Sequence, residues 1–293
     1  MNEPLESQRL ISLAAGVVPE FTPDQVVYAA AEAGFNAVGI WCDLQTWTNE
    51  RTDKVRKALA ETGITALDIE VVWFHPGEPI DTHDRFVDIA KSIGAKNILC
   101  VSSEKDIHET KKRFKHLCQL TNESDISVVL EFLAITEINS LAKALEVVDG
   151  VAHPAGGILV DTLHLQRTGS CAHDLVEIQQ ERLKNAIEYK NQLFPYIQMC
   201  DASEALQDES LEGVLEDALF LRELLGEGEL PLKDVLQAVD GSLPISLEIR
   251  SRALMEKFPK LQDRANVVFQ STQQFLSSSN RAFKTSGLRA RRS

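Results

Sequence analysis

The sequence predicts an α/β protein in which eight parallel strands close into a single barrel surrounded by helices. Two features indicate this fold. Short apolar runs alternate with longer helical stretches along the chain, and three acids and one amide stand at the ends of four of the apolar runs. In a parallel barrel the carboxyl ends of all strands open at the same mouth, so these polar side chains would converge. The length of 293 residues suits one such barrel.

The strands and helices follow this alternation in order. Apolar runs predict strands over 10–15, 37–42, 67–73, 97–102, 127–133, 157–161, 196–200 and 244–249. Helical patterns predict helices over 23–33, 51–62, 82–93, 104–120, 137–148 and 231–239. Thr22 and Pro23 are typical of a helix start, and Gly34, Gly63 and Gly94 each separate a helical stretch from a strand. A doubly wound open sheet is the alternative, but eight strands with four polar ends favour closure.

Two connections are longer than a simple strand-to-helix unit needs. Residues 162–195 and the acidic segment 201–230 are expected to form lids or substrate walls at the catalytic face, or ordinary surface insertions, with a short helix around 211–225. We therefore predict one catalytic domain over residues 1–277. Residues 278–293 hold five basic residues and no acid, and we predict that this tail is disordered.

Composition excludes several classes of function. The formal net charge is −14, and without the basic tail it is about −19, a charge that repels nucleic acid. The apolar runs are too short to span a membrane, and the polar N-terminus argues against a signal peptide. The five cysteines form no Cys-x-x-Cys pair, which favours buried thiols in a reducing cytoplasm. Glycine-rich nucleotide loops and a Gly-x-Ser-x-Gly elbow are absent.

The four polar strand ends predict a metal site. Glu131, Asp161 and Glu248 offer anionic oxygens, and Gln198 offers a neutral amide oxygen. Three carboxylates brought together would repel one another without a cation. An all-oxygen set suits Mn²⁺ or Mg²⁺ better than Zn²⁺. For any single acid, an Arg or Lys partner is the alternative explanation.

Other side chains near the strand ends are candidates for binding substrate. His164 follows Asp161 by three residues and is expected to bind a substrate hydroxyl or to support the metal ligands. Glu137 is expected either to anchor His164 or to serve as an acid at a helix N-terminus.

Trp41, Trp73 and His75 lie at or beyond early strand ends, an arrangement typical of a polyol pocket or of plain packing. Arg250 and Arg222 are expected to bind a phosphate or carboxylate, or to pair with nearby acids, and pairing is favoured for Arg222 because its neighbours are acidic.

Five motifs give the chain a resemblance to a known family. They are Leu130-Glu131, Asp161-Thr162-Leu163-His164, Gln198-Met199-Cys200-Asp201, Gly226-Glu227-Gly228-Glu229-Leu230-Pro231 and Ser246-Leu247-Glu248. Over residues ~8–275 the chain resembles the xylose isomerase-like TIM barrels of the sugar phosphate isomerase/epimerase superfamily.

The resemblance implies roles for individual residues. Ketose 3-epimerases of this family hold their metal with Glu, Asp, His and Glu, which match Glu131, Asp161, Gln198 and Glu248. Gln198 departs from that pattern, although hydroxypyruvate isomerase-like members are similar in using Gln. Glu131 and Glu248 would be the acid/base pair, and His164 with Glu137 would match a substrate-side pair. The DNA-repair endonucleases of the superfamily use a His-rich multi-metal site that this acidic chain lacks.

The expected function is therefore that of a cytoplasmic, metal-dependent isomerase or epimerase in carbohydrate metabolism. It would act on a keto-sugar or related hydroxy-ketone by proton transfer next to the carbonyl, through an enediolate. One alternative is a dehydratase or lyase acting on a keto-inositol, a dehydroshikimate or a 3-keto-glycoside. Another is a non-catalytic barrel that only binds its ligand. The expected partner is a small carbohydrate-like molecule, with no nucleic acid and no membrane, and the sequence leaves open whether the chain forms a homo-oligomer.

Overall fold

Eight parallel strands close into one barrel in the order of the chain. The structure, a computed structural model, describes residues 9–184 and 192–290, and of residues 279–290 the backbone alone. Each strand pairs with its sequence neighbours, and the first pairs with the last through Ile11 and Ile245, so the sheet has no open edge. The predicted (β/α)8 barrel is confirmed, and the open sheet is excluded. The strands are β1 (Ile11–Leu13), β2 (Ala37–Trp41), β3 (Thr65–Phe74), β4 (Asn97–Ser102), β5 (Ser127–Glu131), β6 (Gly156–Asp161), β7 (Ile197–Met199) and β8 (Ile245–Leu247).

Helices separate the strands and cover the outside of the barrel. They are α1 (Pro23–Ala33), α2 (Asn49–Thr62), α3 (Asp84–Ile93), α4 (Ile107–Leu120), α5 (Leu141–Val151), α6 (Thr162–Arg167), α7 (Ala172–Lys184), α8 (Leu211–Phe220), α9 (Leu232–Ala238), α10 (Arg252–Lys257) and α11 (Leu261–Ala290). The short helix expected around 211–225 is α8. Helix α11 runs past residue 277, where we expected the barrel domain to end, so the division there stays a prediction. Residues 291–293 of the predicted tail lie outside the described residues.

Local capping sets the ends of the first helix. At its start the Thr22 side chain and the Gln25 side chain form a reciprocal capping box, and Pro23 occupies the first turn, where its missing N–H costs nothing. At its end Gly34 adopts φ 104°, in the left-handed region that favours glycine, and its N–H caps the carbonyls of Ala30 and Ala31. The turn at Gly34 ends the helix and leads the chain into β2.

The apolar core has two layers. The larger layer lies between the strands and the helices. The smaller cluster includes Leu99, Val129, Leu159 and Tyr196. Because side chains alternate along a strand, Val129 and Leu159 share the inner face with Glu131 and Asp161, two residues further on. The inner layer is therefore a floor that carries the acidic strand ends at the mouth.

Across residues 9–184 and 192–290, no helix combines the length and the apolar composition that a bilayer-spanning segment needs.

Gly34→Ala is expected to destabilise the protein more than the matched change Gly63→Ala. Both glycines have positive φ, 104° and 72°, so an alanine at either costs about 1–2 kcal/mol of backbone strain. A Cβ at Gly34 would also lie 2.8 Å from the Phe269 ring, whereas a Cβ at Gly63 meets nothing within 4 Å. Overpacking adds about 1–3 kcal/mol. Urea unfolding of both variants measures the difference, and equal losses would contradict the packing argument.

Candidate active site

Three of the four predicted metal ligands meet at the barrel mouth. Glu131 ends β5, Asp161 ends β6, and Glu248 directly follows β8. All three are buried, and one oxygen from each carboxylate lies within 4.8 Å of the others. Gln198, in β7, is fully buried and stands in register with Asp161 on one side and Ser246 on the other. The strand geometry thus brings the four side chains to one end of the barrel.

A buried arginine balances the acids. The Arg222 Nη1 donates to Asp161 Oδ2 at 2.7 Å and lies 3.1 Å from Glu248 Oε2. Its Nη2 is 3.4 Å from His164 Nε2, and its Nε donates to the Ala218 carbonyl at 2.8 Å. Burial by itself would lower the pKa of Arg222, but the Asp161 and Glu248 carboxylates raise it well above its ordinary value. The pairing with nearby acids that we expected for Arg222 is confirmed.

The oxygen atoms that remain without partners fit a hard divalent cation. In the described part of the chain, the Oε1 of Glu131 and both side-chain polar atoms of Gln198 are buried and have no hydrogen-bond partner. A buried polar atom of this kind normally has a partner, such as a protein group, a water or an ion. Together with Asp161 and Glu248 the donors are all oxygens, the set that Mn²⁺ and Mg²⁺ prefer. Arg222 contacts two of these four residues and would share or release their oxygens when a cation binds.

Burial and charge shift the acid–base properties of the site. Burial, and then the negative charge of Glu248, raise the pKa of Glu131 well above its ordinary value. Burial, and then the Arg222 cation, lower the pKa of His164 to about 3. The imidazole is therefore neutral at physiological pH and can exchange hydrogen bonds with a neutral hydroxyl or carbonyl.

The site opens into a cavity of about 700 Å³, part of which is solvent at the mouth. Six of the predicted site residues line it: Glu131, Glu248, His164, Arg250, Trp41 and Trp73. The Arg250 Nε donates to Glu248 Oε1 at 3.0 Å, and Gly16 lies against this guanidinium, which a Cβ at this position would force to shift. Arg250 therefore orients Glu248 in this structure.

Two predicted substrate-binding residues lie away from the cavity. His75 is exposed, and its ring stacks on Trp73 with ring centroids 5.6 Å apart. Glu137 is exposed as well. We expected it to anchor His164, but the group that the His164 ring contacts is the Arg222 guanidinium. Neither His75 nor Glu137 is among the described residues that line the cavity. The loops after β3 and β5 carry these side chains outward.

Two buried acids of β3 were not singled out from the sequence. Asp68 and Glu70 stand two residues apart in β3 and are both buried, and Glu70 lines the cavity. Glu70 Oε1 accepts from the Ala15 N–H at 3.2 Å. Burial, then the charges of Asp68 and Glu248, raise the pKa of Glu70 well above its ordinary value. The signal was available, because two acids at alternate positions of a strongly apolar strand share one face.

The comparisons with known proteins identify the family. A family model described as "Xylose isomerase-like TIM barrel" matches residues 27–273. The chain belongs to this family. The resemblance that the motifs indicated is confirmed for the fold and for the superfamily. No curated protein sequence matches the chain.

Solved structures share the fold of this xylose isomerase-like barrel at low sequence identity. A xylose isomerase-like TIM barrel/4-hydroxyphenylpyruvate dioxygenase fusion protein is 19% identical with a TM-score of 0.77, covering 96% of this chain and 45% of that chain. The chain therefore spans less than half the length of that fusion protein. The IolI protein with a bound zinc atom is 16% identical with a TM-score of 0.72, covering 92% of this chain and 99% of IolI. The probable 3-DHS dehydratase AsbF from Bacillus anthracis is 18% identical with a TM-score of 0.69, covering 90% of this chain and 98% of AsbF.

Arg222→Gln is expected to lower the melting temperature of the metal-free protein and to enlarge the rise in melting temperature that Mn²⁺ causes. Removing one partner from a buried ion pair costs about 3–5 kcal/mol, because the acids lose their cation. A divalent ion would then restore the balance of charge. Thermal unfolding with EDTA and with Mn²⁺ measures both effects. A lower melting temperature without a larger Mn²⁺-induced rise would show that Arg222 does not compete with the cation for Asp161 and Glu248.

Asp68→Asn is expected to change the stability of the metal-free protein more favourably at pH 8 than at pH 5. Burial, and then the charge of Glu248, raise the pKa of Asp68 to about 7, and the nearby Tyr196 hydroxyl acts in the opposite direction. The unfolded carboxyl titrates near its ordinary value of about 4. Between about pH 4 and 7 the folded protein holds a proton that the unfolded chain releases, so stability falls as the pH rises through this range. Asparagine removes this loss.

The melting temperature of Asp68→Asn, minus that of the unchanged protein, should therefore increase from pH 5 to pH 8. Asp88→Asn, a change at an exposed acid on α3, serves as the control and should show no such increase. A difference for Asp68→Asn that is independent of pH would contradict the burial argument.

Proposed function

We propose that this protein is a divalent-metal-dependent enzyme that isomerises or epimerises a hydroxy-ketone by moving a proton next to its carbonyl. The single observation that carries the proposal is the cluster of Glu131, Asp161 and Glu248 at the barrel mouth, which we call the acid cluster. Three buried carboxylates place one oxygen each within 4.8 Å of the others, and Glu131 and Gln198 keep buried oxygens without a partner. Glu131, Asp161, Gln198 and Glu248 would hold the cation.

A bound Mn²⁺ or Mg²⁺ would polarise the carbonyl and so ease removal of a proton from the neighbouring carbon. The chain's own residues supply the rest. Glu131 and Glu248 form the acid/base pair: one of them, in its ionised form, removes the proton from the carbon next to the carbonyl. The other, which starts the cycle protonated, returns a proton at the same carbon in an epimerisation or at the neighbouring carbon in an isomerisation, and Arg250 holds Glu248 in place for this exchange. Neutral His164 lies beside the acids and binds a substrate hydroxyl.

The family and its neighbours support an enzyme of this class. The neighbours include a D-allulose 3-epimerase from Methylomonas sp. in complex with D-allulose, at 13% identity and a TM-score of 0.61. They also include IolI with its zinc atom. At these identities the likeness shows the fold alone, so the proposed reaction depends on the residues at the mouth. The oxygen-only donor set favours Mn²⁺ or Mg²⁺ over zinc.

Dehydration is the second candidate. AsbF is described as a probable 3-DHS dehydratase, and its structure covers nearly the whole barrel. The same pair of glutamates would serve, since one removes the proton and the other protonates a departing hydroxyl. Solvent exchange and product analysis separate the two reactions: epimerisation retains the hydroxyl count, and dehydration releases water.

The glutamate variants test the proposal. Mn²⁺-loaded protein in D₂O is incubated with D-fructose, D-allulose, a keto-inositol and 3-dehydroshikimate, and ¹H NMR follows the proton next to the carbonyl. We expect exchange or conversion with at least one compound, and a loss of about 10²–10⁴-fold in Glu131→Gln and in Glu248→Gln.

Glu104→Gln is the matched control, because Glu104 is a buried acid beyond β4 that does not line the cavity. It should leave the rate unchanged. Near-normal rates in Glu131→Gln or Glu248→Gln would remove that residue from the acid/base pair. No exchange with any compound, together with no Mn²⁺-induced rise in melting temperature, would favour a non-catalytic barrel that only binds its ligand.

A further inference from the structure

The cavity above the acid cluster is divided into two chemically different sides. The polar side is formed by Glu70, Glu131, His164, Arg222, Glu248 and Arg250. The other ten of the sixteen lining residues are apolar. Six of these form one wall, which we call the β3–β5 wall: Val71, Trp73, Leu99, Val101, Leu133 and Ile135.

The β3–β5 wall offers no free hydrogen-bonding side chain to a ligand. Apart from the Trp73 indole, none of its six side chains carries a hydrogen-bonding group. The Trp73 Nε1 already donates to Ser103 Oγ at 2.8 Å. A sugar hydroxyl placed against this wall would lose its hydrogen bonds to water without gaining a side-chain partner, which disfavours an open-chain polyol there.

Helix α8 extends the apolar surface over the mouth. Leu215, Ala218 and Leu219 of this helix line the cavity. The helix is fixed to the barrel, because Arg167 pairs with Asp217 at 2.8 Å with both side chains almost fully buried. At its end Arg222 reaches from the carbonyl of Ala218 to the acid cluster. The apolar roof is therefore held beside the polar side of the cavity.

We propose that the cavity takes an amphipathic substrate, whose hydroxy-ketone head lies at the acid cluster and whose apolar, ring-bearing arm lies between the β3–β5 wall and α8. Trp41, which is 40% exposed at the rim, offers a further aromatic face to such a ring. The inference rests on the proposed function, which places the carbonyl at Glu131 and Glu248. It adds that the rest of the substrate is an aryl or alicyclic group and not a chain of hydroxyls.

Three probes with the same head and different arms test the inference. Hydroxyacetone carries a methyl arm, 2-hydroxyacetophenone a phenyl arm, and L-erythrulose, a four-carbon ketose that cannot close a five- or six-membered ring, a polyol arm. Isothermal titration calorimetry of each against the full chain loaded with Mn²⁺ gives the affinities. We expect 2-hydroxyacetophenone to bind about tenfold or more tightly than either of the others, because only its ring buries apolar surface on the wall. An equal or higher affinity for L-erythrulose, or no binding of 2-hydroxyacetophenone, would overturn the inference.

A pair of leucine variants on α8 locates the arm. Leu219→Asn changes a lining residue, and Leu211→Asn makes the same change on the same helix at an exposed position that does not line the cavity. Leu219→Asn should weaken 2-hydroxyacetophenone about threefold or more and leave hydroxyacetone and the Mn²⁺-induced rise in melting temperature unchanged. Leu211→Asn should change none of these. Equal effects of the two variants would overturn the placement of the arm.

Failure of the inference can be told apart from failure of the proposed function. If Mn²⁺ binds and the glutamate variants lose proton exchange, but the phenyl arm gives no gain in affinity, the inference alone is wrong. If Mn²⁺ does not bind and no proton exchange occurs, while the phenyl probe keeps its advantage, the proposed reaction is wrong and the amphipathic cavity stands.

Discussion

The barrel mouth depends on the balance of charge around Arg222. Burying several carboxylates close together is costly unless a cation compensates them. In this structure the Arg222 guanidinium lies 2.7 Å from Asp161 and 3.1 Å from Glu248, and Arg250 holds the other oxygen of Glu248. Glu131 is left with an unpartnered oxygen, and its pKa is raised. Of the three clustered acids, Glu131 is therefore the one with no arginine within ion-pair distance in the described part of the chain.

Arg222 also connects the acids to the helix that covers the cavity. Arg222 follows α8 and is held by the Ala218 carbonyl, and its own N–H donates to the Arg250 carbonyl at 3.1 Å. The acidic connection between β7 and β8 therefore carries both the Arg222 guanidinium, which pairs with Asp161 and Glu248, and the leucines of α8, which cover the cavity. A change around Asp161 or Glu248 would therefore affect α8 through Arg222, and a ligand bound under α8 would in turn affect Arg222.

The division of the cavity separates reaction from selection. The strand ends of β5, β6 and β8 supply the acids, which suit proton transfer beside any polarised carbonyl. The β3–β5 wall and α8 supply apolar surface, which distinguishes substrates by the rest of their structure. In such an arrangement the walls of the cavity, and not the acids, would select the molecule.

The sequence by itself determined the eight strands, most of the helices and three acids that meet at the mouth. These follow from local patterns, since side-chain alternation and helical periodicity are visible along the chain and a parallel barrel brings its strand ends together. The tertiary structure decided what depends on distant contacts. It placed Arg222 between Asp161 and Glu248, turned Asp68 and Glu70 inward, and carried His75 and Glu137 away from the cavity. The direction of a side chain on a loop, and the partner of a buried charge, are set by residues far away in sequence, and no local pattern encodes them.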